Sequence, residues 1–233
     1  MMSMEKVTVS DIDIEVERKN IKHIHLAVYP PDARVHISAP EFMTLESLQL
    51  YAIDHLVWIR QAIARINSTE RQSDRIYVSG EDHYYMGRRY LLKVHEKGFG
   101  PTVKISGRYI NLFVKYGADK EYLANAMKEW YRAKLMHLLD TLVPKWEEKM
   151  GLKCGGFTIR EMKTRWGSCN QRTHKLLFNL ELAKKPKPCI EYVVVHELAH
   201  IVSKNHDAQF RAVLDKHMPM WEKYRDELNE FIL

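Results

Sequence analysis

The run Ile190–Val202, IEYVVVHELAHIV, constrains this chain more than any other feature. His196, Glu197 and His200 sit inside a segment that is otherwise apolar nearly all round and far too short to span a membrane. It reads as a helix buried in a globular core, expected over roughly 188–204. Two imidazoles and a carboxylate in such a helix are costly unless something satisfies them. Positions i and i+4 project from one helix face, so His196 and His200 can present two nitrogens to one metal ion. Glu197, one position on, can reach a water bound to that ion and act as its base. Satisfaction by hydrogen bonds alone is the plainer alternative. A chance H-E-x-x-H arises in about one of twenty chains of this composition, so the apolar surroundings carry the weight.

A catalytic zinc usually keeps three protein ligands and one open position. The leading third ligand is His206, ten residues after His196 and six after His200. This is the ligand spacing of metzincins, but Ser203 stands where their pattern has a glycine. A helix continued to residue 206 would carry it about 120° away from His200. The helix should therefore end near Lys204-Asn205, with Asn205 able to take a left-handed turn and Asp207 capping the next helix. His217 is the rival ligand, and Asp207 and Glu222 are weaker ones. Cys154, Cys169 and Cys189 form no C-x-x-C pair, which argues against a thiolate site and against a disulfide framework.

The other 220 or so residues look like an ordinary globular protein. Hydrophobic residues make up 45% and charged residues 28%, with 36 Lys and Arg against 30 Asp and Glu. No apolar leader opens the sequence, so a cytoplasmic protein without membrane contact is expected. Alternation at Val7–Val16, Ile24–Val28 and Val35–Ile37 predicts strands. One amphipathic helix, capped by Thr44, is expected from Leu45 to Ile66. Strands cut by glycines, in hairpins, fill Ile76–Lys115. A long helix follows over about 119–150, which Pro144 should kink or interrupt and Gly151 should end. Strands are expected at Gly156–Thr164 and Lys175–Leu180, and a last helix after Pro219. No internal repeat is visible. The expected fold is α+β, with a β-rich part at 1–117 and a metal-binding part at 118–233.

Four segments resemble the YgjP-like metallopeptidase domain family, small zincins related to SprT-like proteases. They are MKTRWGSC at Met162–Cys169, FNLELA at Phe178–Ala183, IEYVVVHELAH at Ile190–His200 and NHDAQF at Asn205–Phe210. The likeness extends to the N-terminal strands, the Trp58-Ile59 helix and Gly87–Tyr90. It implies a zincin-like C-terminal half, zinc on His196, His200 and His206, and Glu197 as catalytic base.

In MKTRWGSC, strand alternation would place Lys163 and Arg165 on one face and Met162, Thr164 and Trp166 on the other. Such a strand could add an extended peptide at its edge, or Arg165 could hold a carboxylate or phosphate. Alternatively Trp166 anchors a core, Gly167-Ser168 makes a turn and Arg165 an ion pair. From Lys145 to Lys187 there are eleven Lys or Arg against four Glu, a basic stretch suited to an anionic partner or simply a solvated face. The leading expectation is a zinc-dependent peptidase acting on peptides or proteins. The alternatives are a pyrophosphohydrolase whose nucleotide phosphates lie on Lys163 and Arg165, and a nucleic-acid-binding protein with a structural metal.

Overall fold

The computed structural model describes residues 5–29, 32–68, 75–98 and 100–229. The chain packs as two compact units that divide between Ser73 and Asp74.

The first unit holds β1 (Glu5–Val9), β2 (Ile12–Lys19), β3 (His25–Tyr29), β4 (Arg34–Pro40), α1 (Leu45–Asp54) and α2 (Leu56–Ser68). Its sheet runs β1-β2-β4-β3, with β2 and β4 parallel in register Ile14↔Val35 and Val16↔Ile37. The expected alternation points Ile12, Ile14, Val16, Val35 and Ile37 inward, where they meet Leu48, Ala52 and Ile59 of the helices. Thr44 caps α1, accepting from Ser47 N at 3.2 Å. The single helix expected over 45–66 is two helices. At His55 the backbone leaves helical values (φ −100°, ψ 9°), and the His55 Nδ1–H donates to the Tyr51 carbonyl at 2.8 Å.

The second unit opens with β5 (Asp82–Tyr85), β6 (Arg88–Glu96), β7 (Thr102–Ser106) and β8 (Tyr109–Val114) in the order β5-β6-β8-β7. The expected hairpins are present. The β5–β6 turn is Met86-Gly87, both with positive φ, as a twisted two-residue hairpin requires. α3 (Lys120–Met150) runs unbroken through Pro144, capped by Asp119 and ended by Gly151 in the left-handed conformation. Leu92, Ile110, Leu112 and Val114 of the sheet share one core with Leu123, Met127 and Leu135 of α3. That sharing is why the division falls near residue 73 and not at the expected 117: segment 75–114 is part of the second core.

A smaller sheet, β10-β11-β9, is built from β9 (Phe157–Arg160), β10 (Gly167–Cys169) and β11 (Leu176–Asn179). β10 is an edge strand, antiparallel to β11 in register Gly167↔Phe178. The strand expected through Met162–Trp166 is not one. Its backbone is held by the buried Asn179 side chain, whose Nδ2 donates to the Met162 and Arg165 carbonyls at 2.8 Å each. A 3-10 turn, Leu180–Lys184, leads into α4 (Lys187–Ala199), followed by α5 (Ala208–His217) and α6 (Trp221–Asn229). α4 packs against α3, α5, α6 and β10, which explains its apolar circumference. No helix among the described residues is long and apolar enough to cross a membrane.

Candidate metal centre

The expected helix over 188–204 ends five residues early. After Ala199 the chain tightens: Ile201 N donates to Leu198 O, and Val202 N and Ser203 N both donate to Ala199 O, at 3.0–3.1 Å. Asn205 takes no left-handed conformation. Ser203 directs the reversal instead. Its Oγ is 2.8 Å from Asp207 Oδ2 and 3.1 Å from the Asn205 carbonyl, while Asp207 Oδ1 caps α5 by accepting from Phe210 N. The reversal swings residue 206 back over the end of α4.

His196, His200 and His206 thereby meet, with one nitrogen from each lying within 4.8 Å of the others. The Nε2 atoms of His196 and His206 are 3.1 Å apart, so they must share a proton or a cation. Ligands at roughly 2.0–2.1 Å in a tetrahedron stand about 3.3–3.4 Å from each other, so the His196–His206 separation suits two ligands of one small divalent ion. The ring tautomers suit this as well. The Ser203 carbonyl only accepts, so His200 Nδ1, 3.1 Å away, carries the hydrogen and leaves Nε2 with a free lone pair. His196 Nδ1 lies 3.2 Å from the Tyr192 hydroxyl one turn earlier on α4. Phe210 packs its ring 4.7–4.9 Å from all three imidazoles. Burial pushes His196 down to about 3, helped by His200 and His206, and lowers His200 too. Neutral imidazole is the form that binds a metal.

Glu197 is 4% exposed, and its Oε2 has no hydrogen-bond partner among the described residues. Burial raises its carboxyl to about 8, opposed by the charge of Arg165. The backbone of β10 presses on it. A Cβ added to Gly167 would stand 2.5 Å from Glu197 Oε1. These residues open on a cleft of about 800 Å³ bordered by β10 and by Tyr192, Trp221 and Leu228.

Of the residues singled out in the sequence, His196, Glu197, His200, His206 and Arg165 line this cleft, and Lys163 does not. His217 stands at the far end of α5, outside the cluster, with its carbonyl accepting from Lys149 Nζ at 3.3 Å. Sequence reasoning missed Tyr192, which was signalled only by its i−4 spacing from His196. It also missed Gln171, whose Nε2 donates to the His200 carbonyl at 3.0 Å, and the role of Gly167, read there as part of a turn.

The chain belongs to the YgjP-like metallopeptidase domain family, which it matches over residues 22–231. No curated protein matches the sequence. Two solved structures of metallopeptidase zymogens are similar to part of it. Abylysin of Pyrococcus abyssi is 17% identical with a TM-score of 0.37, covering 39% of this chain and 90% of its own. Jannalysin of Methanocaldococcus jannaschii is 19% identical with a TM-score of 0.35, covering 39% and 92%. Family membership implies a divalent metal, and the His196–His200–His206 cluster could hold one.

Proposed function

We propose that this protein is a zinc metallopeptidase with a zincin-like second unit, in which His196, His200 and His206 hold the metal and Glu197 is the general base. The observation that carries this reading is the convergence of three imidazole nitrogens within 4.8 Å beside a buried, unpartnered carboxylate in an open cleft. Zinc is favoured over other divalent ions by an all-nitrogen protein ligand set without a fourth side chain. When bound there, it would polarise the scissile carbonyl and acidify a water.

The protein's own residues supply the rest. Glu197 takes the proton of the attacking water and returns it to the leaving amine nitrogen. Its burial suits this, since a carboxylate of raised pKa both accepts and releases a proton near neutrality. The unpaired edge of β10 offers backbone groups to an extended peptide, which would lie across the cleft by strand addition. Arg165, which lines the cleft, would meet a substrate carboxylate or carbonyl. Lys163 is not among the residues that line the cleft. The nucleotide and nucleic-acid alternatives gain no support from the site or from the family match.

The test is Glu197→Gln. The purified variant should retain near-stoichiometric zinc and the wild-type melting temperature, yet hydrolyse unstructured protein at least about a hundredfold more slowly. Undiminished turnover would remove Glu197 from the mechanism.

A further inference from the structure

We infer that the cleft selects acidic peptides, in which Asp or Glu side chains flank the bond to be cut. The inference deepens the peptidase reading and rests on it for the bond attacked, but the charge argument stands on its own residues.

Four cations line the cleft: Arg165, Lys204, Arg211 and Arg225. Glu197 is the only acid that does so among the described residues, and its carboxylate is committed to the chemistry. Arg225 is neutralised locally, with Nε 2.8 Å from Asp226 Oδ1 and a second carboxylate, Glu222, within 3.8 Å. The side chains of Arg165, Lys204 and Arg211 are exposed and form no ion pair among the described residues.

Asp207, Asp215 and Glu191, on elements beside the cleft, do not line it and bond elsewhere. Asp207 holds Ser203 Oγ and Phe210 N, and Asp215 accepts from Trp221 Nε1 at 2.7 Å. Glu191 takes Lys145 and Trp146 Nε1. Three cations without an ion pair among the described residues therefore line a concave, partly apolar surface to which Glu197 alone among the described lining residues brings a carboxylate. Cations focused in a cleft attract anions and repel cations over distances of about a Debye length, roughly 8–10 Å, which covers several residues on either side of a scissile bond. An acidic peptide fits this field, and a lysine-rich one is rejected by it.

The experiment uses three fluorogenic decapeptides with the same four central residues, flanked by Asp and Glu, by Ser and Gly, or by Lys. All are amidated, so a terminal carboxylate cannot supply the charge. Hydrolysis is measured with the zinc-loaded full chain, with and without Lys204→Glu and Arg211→Glu. Binding is measured by fluorescence anisotropy with zinc-loaded Glu197→Gln, with and without Lys204→Glu and Arg211→Glu added.

The expected result is a kcat/KM at least about tenfold higher for the acidic than for the neutral peptide, a ratio that shrinks in 0.5 M salt and collapses when both charges are reversed. Equal cleavage of all three peptides overturns the inference and leaves the peptidase standing. Salt-sensitive, variant-sensitive binding of the acidic peptide without cleavage of any peptide upholds the charge inference and removes the peptidase reading. Neither cleavage nor preferential binding overturns both.

Discussion

Gly167→Ala asks where the Glu197 carboxylate has to be. Gly167 is not in the left-handed region, so alanine suits the backbone there and only the neighbouring side chain opposes it. The added methyl would lie 2.5 Å from Glu197 Oε1, 2.8 Å from Cγ and 2.9 Å from Cδ. Ordinary contact needs about 3.5 Å or more, so the carboxylate must retreat by roughly 1 Å, in surroundings that leave it 4% exposed. Overpacking of this kind costs about 1–3 kcal/mol. Displacing a catalytic group by 1 Å costs on the order of a hundredfold in rate. The three atoms nearest the methyl all belong to Glu197 and none to an imidazole. The variant should therefore keep its zinc, melt a few degrees lower and turn over about a hundredfold more slowly. Metal analysis, thermal denaturation and peptide hydrolysis read the three effects. A double-mutant cycle isolates the cause, because Glu197→Ala removes every atom of the clash and should abolish the stability cost of Gly167→Ala. Wild-type turnover in the single variant, or an equal stability cost in both backgrounds, would refute the packing of β10 on Glu197 as the reason for glycine.

Dialysis against a weak chelator should strip zinc from His206→Ala but not from His217→Ala, as metal analysis will show; the reverse pattern would overturn the ligand set. Tyr192→Phe deletes the hydroxyl beside His196 Nδ1 and should weaken zinc about tenfold in a competitive chelator titration, the lower end for a group that orients a ligand. An unchanged affinity would mean that packing alone holds the ring. His83 is 3% exposed, and burial, with the charges of Arg75 and Lys184, pushes it down to about 4. Below about 6.5 the unfolded chain binds a proton that the native His83 declines, so stability is full above that pH and falls as pH drops towards 4. Urea titrations of the metal-free protein at pH 7 and pH 4.5 should show His83→Gln losing up to about 2 kcal/mol less than the wild type over that window. Parallel losses would refute the assignment.

The His196–Glu197–His200 face was legible because a helix converts sequence spacing into direction without help from the rest of the fold. The need for a turn before His206 followed from the same geometry. Its mechanism did not, since the reversal depends on Ser203 meeting Asp207 and not on a left-handed Asn205. Met162–Trp166 misled for a related reason. Alternating residues say which side of a strand each would face, but not whether a partner strand exists. Here Asn179 satisfies the backbone that a strand would have offered to a neighbour, leaving only Gly167–Cys169 to pair. The contact of Gly167 with Glu197 lies across thirty residues of chain and is set by how β10 packs on α4, which no local pattern encodes.

The same distinction explains a repeat that the sequence conceals. Both four-stranded sheets join two antiparallel hairpins through a parallel central pair, β2 with β4 and β6 with β8, in the same order. Each is followed by a helix whose cap, Thr44 or Asp119, accepts from the backbone three residues on, with Glu46 or Glu121 in the first turn. Topology of this kind is fixed by hairpin turns and inward apolar faces, which many sequences satisfy, so no residue-by-residue likeness has to survive. What separates the two halves is the helix. In the first, His55 breaks it after ten residues of α1 and both pieces serve one sheet. In the second, α3 runs 31 residues. Its first half meets β5, through Tyr131 Oη on the Tyr84 carbonyl, and its second half meets α4, through Trp146 Nε1 on Glu191. The uninterrupted α3 is thus what ties a β-sheet of ordinary design into the core that supports the His196–His200–His206 cluster.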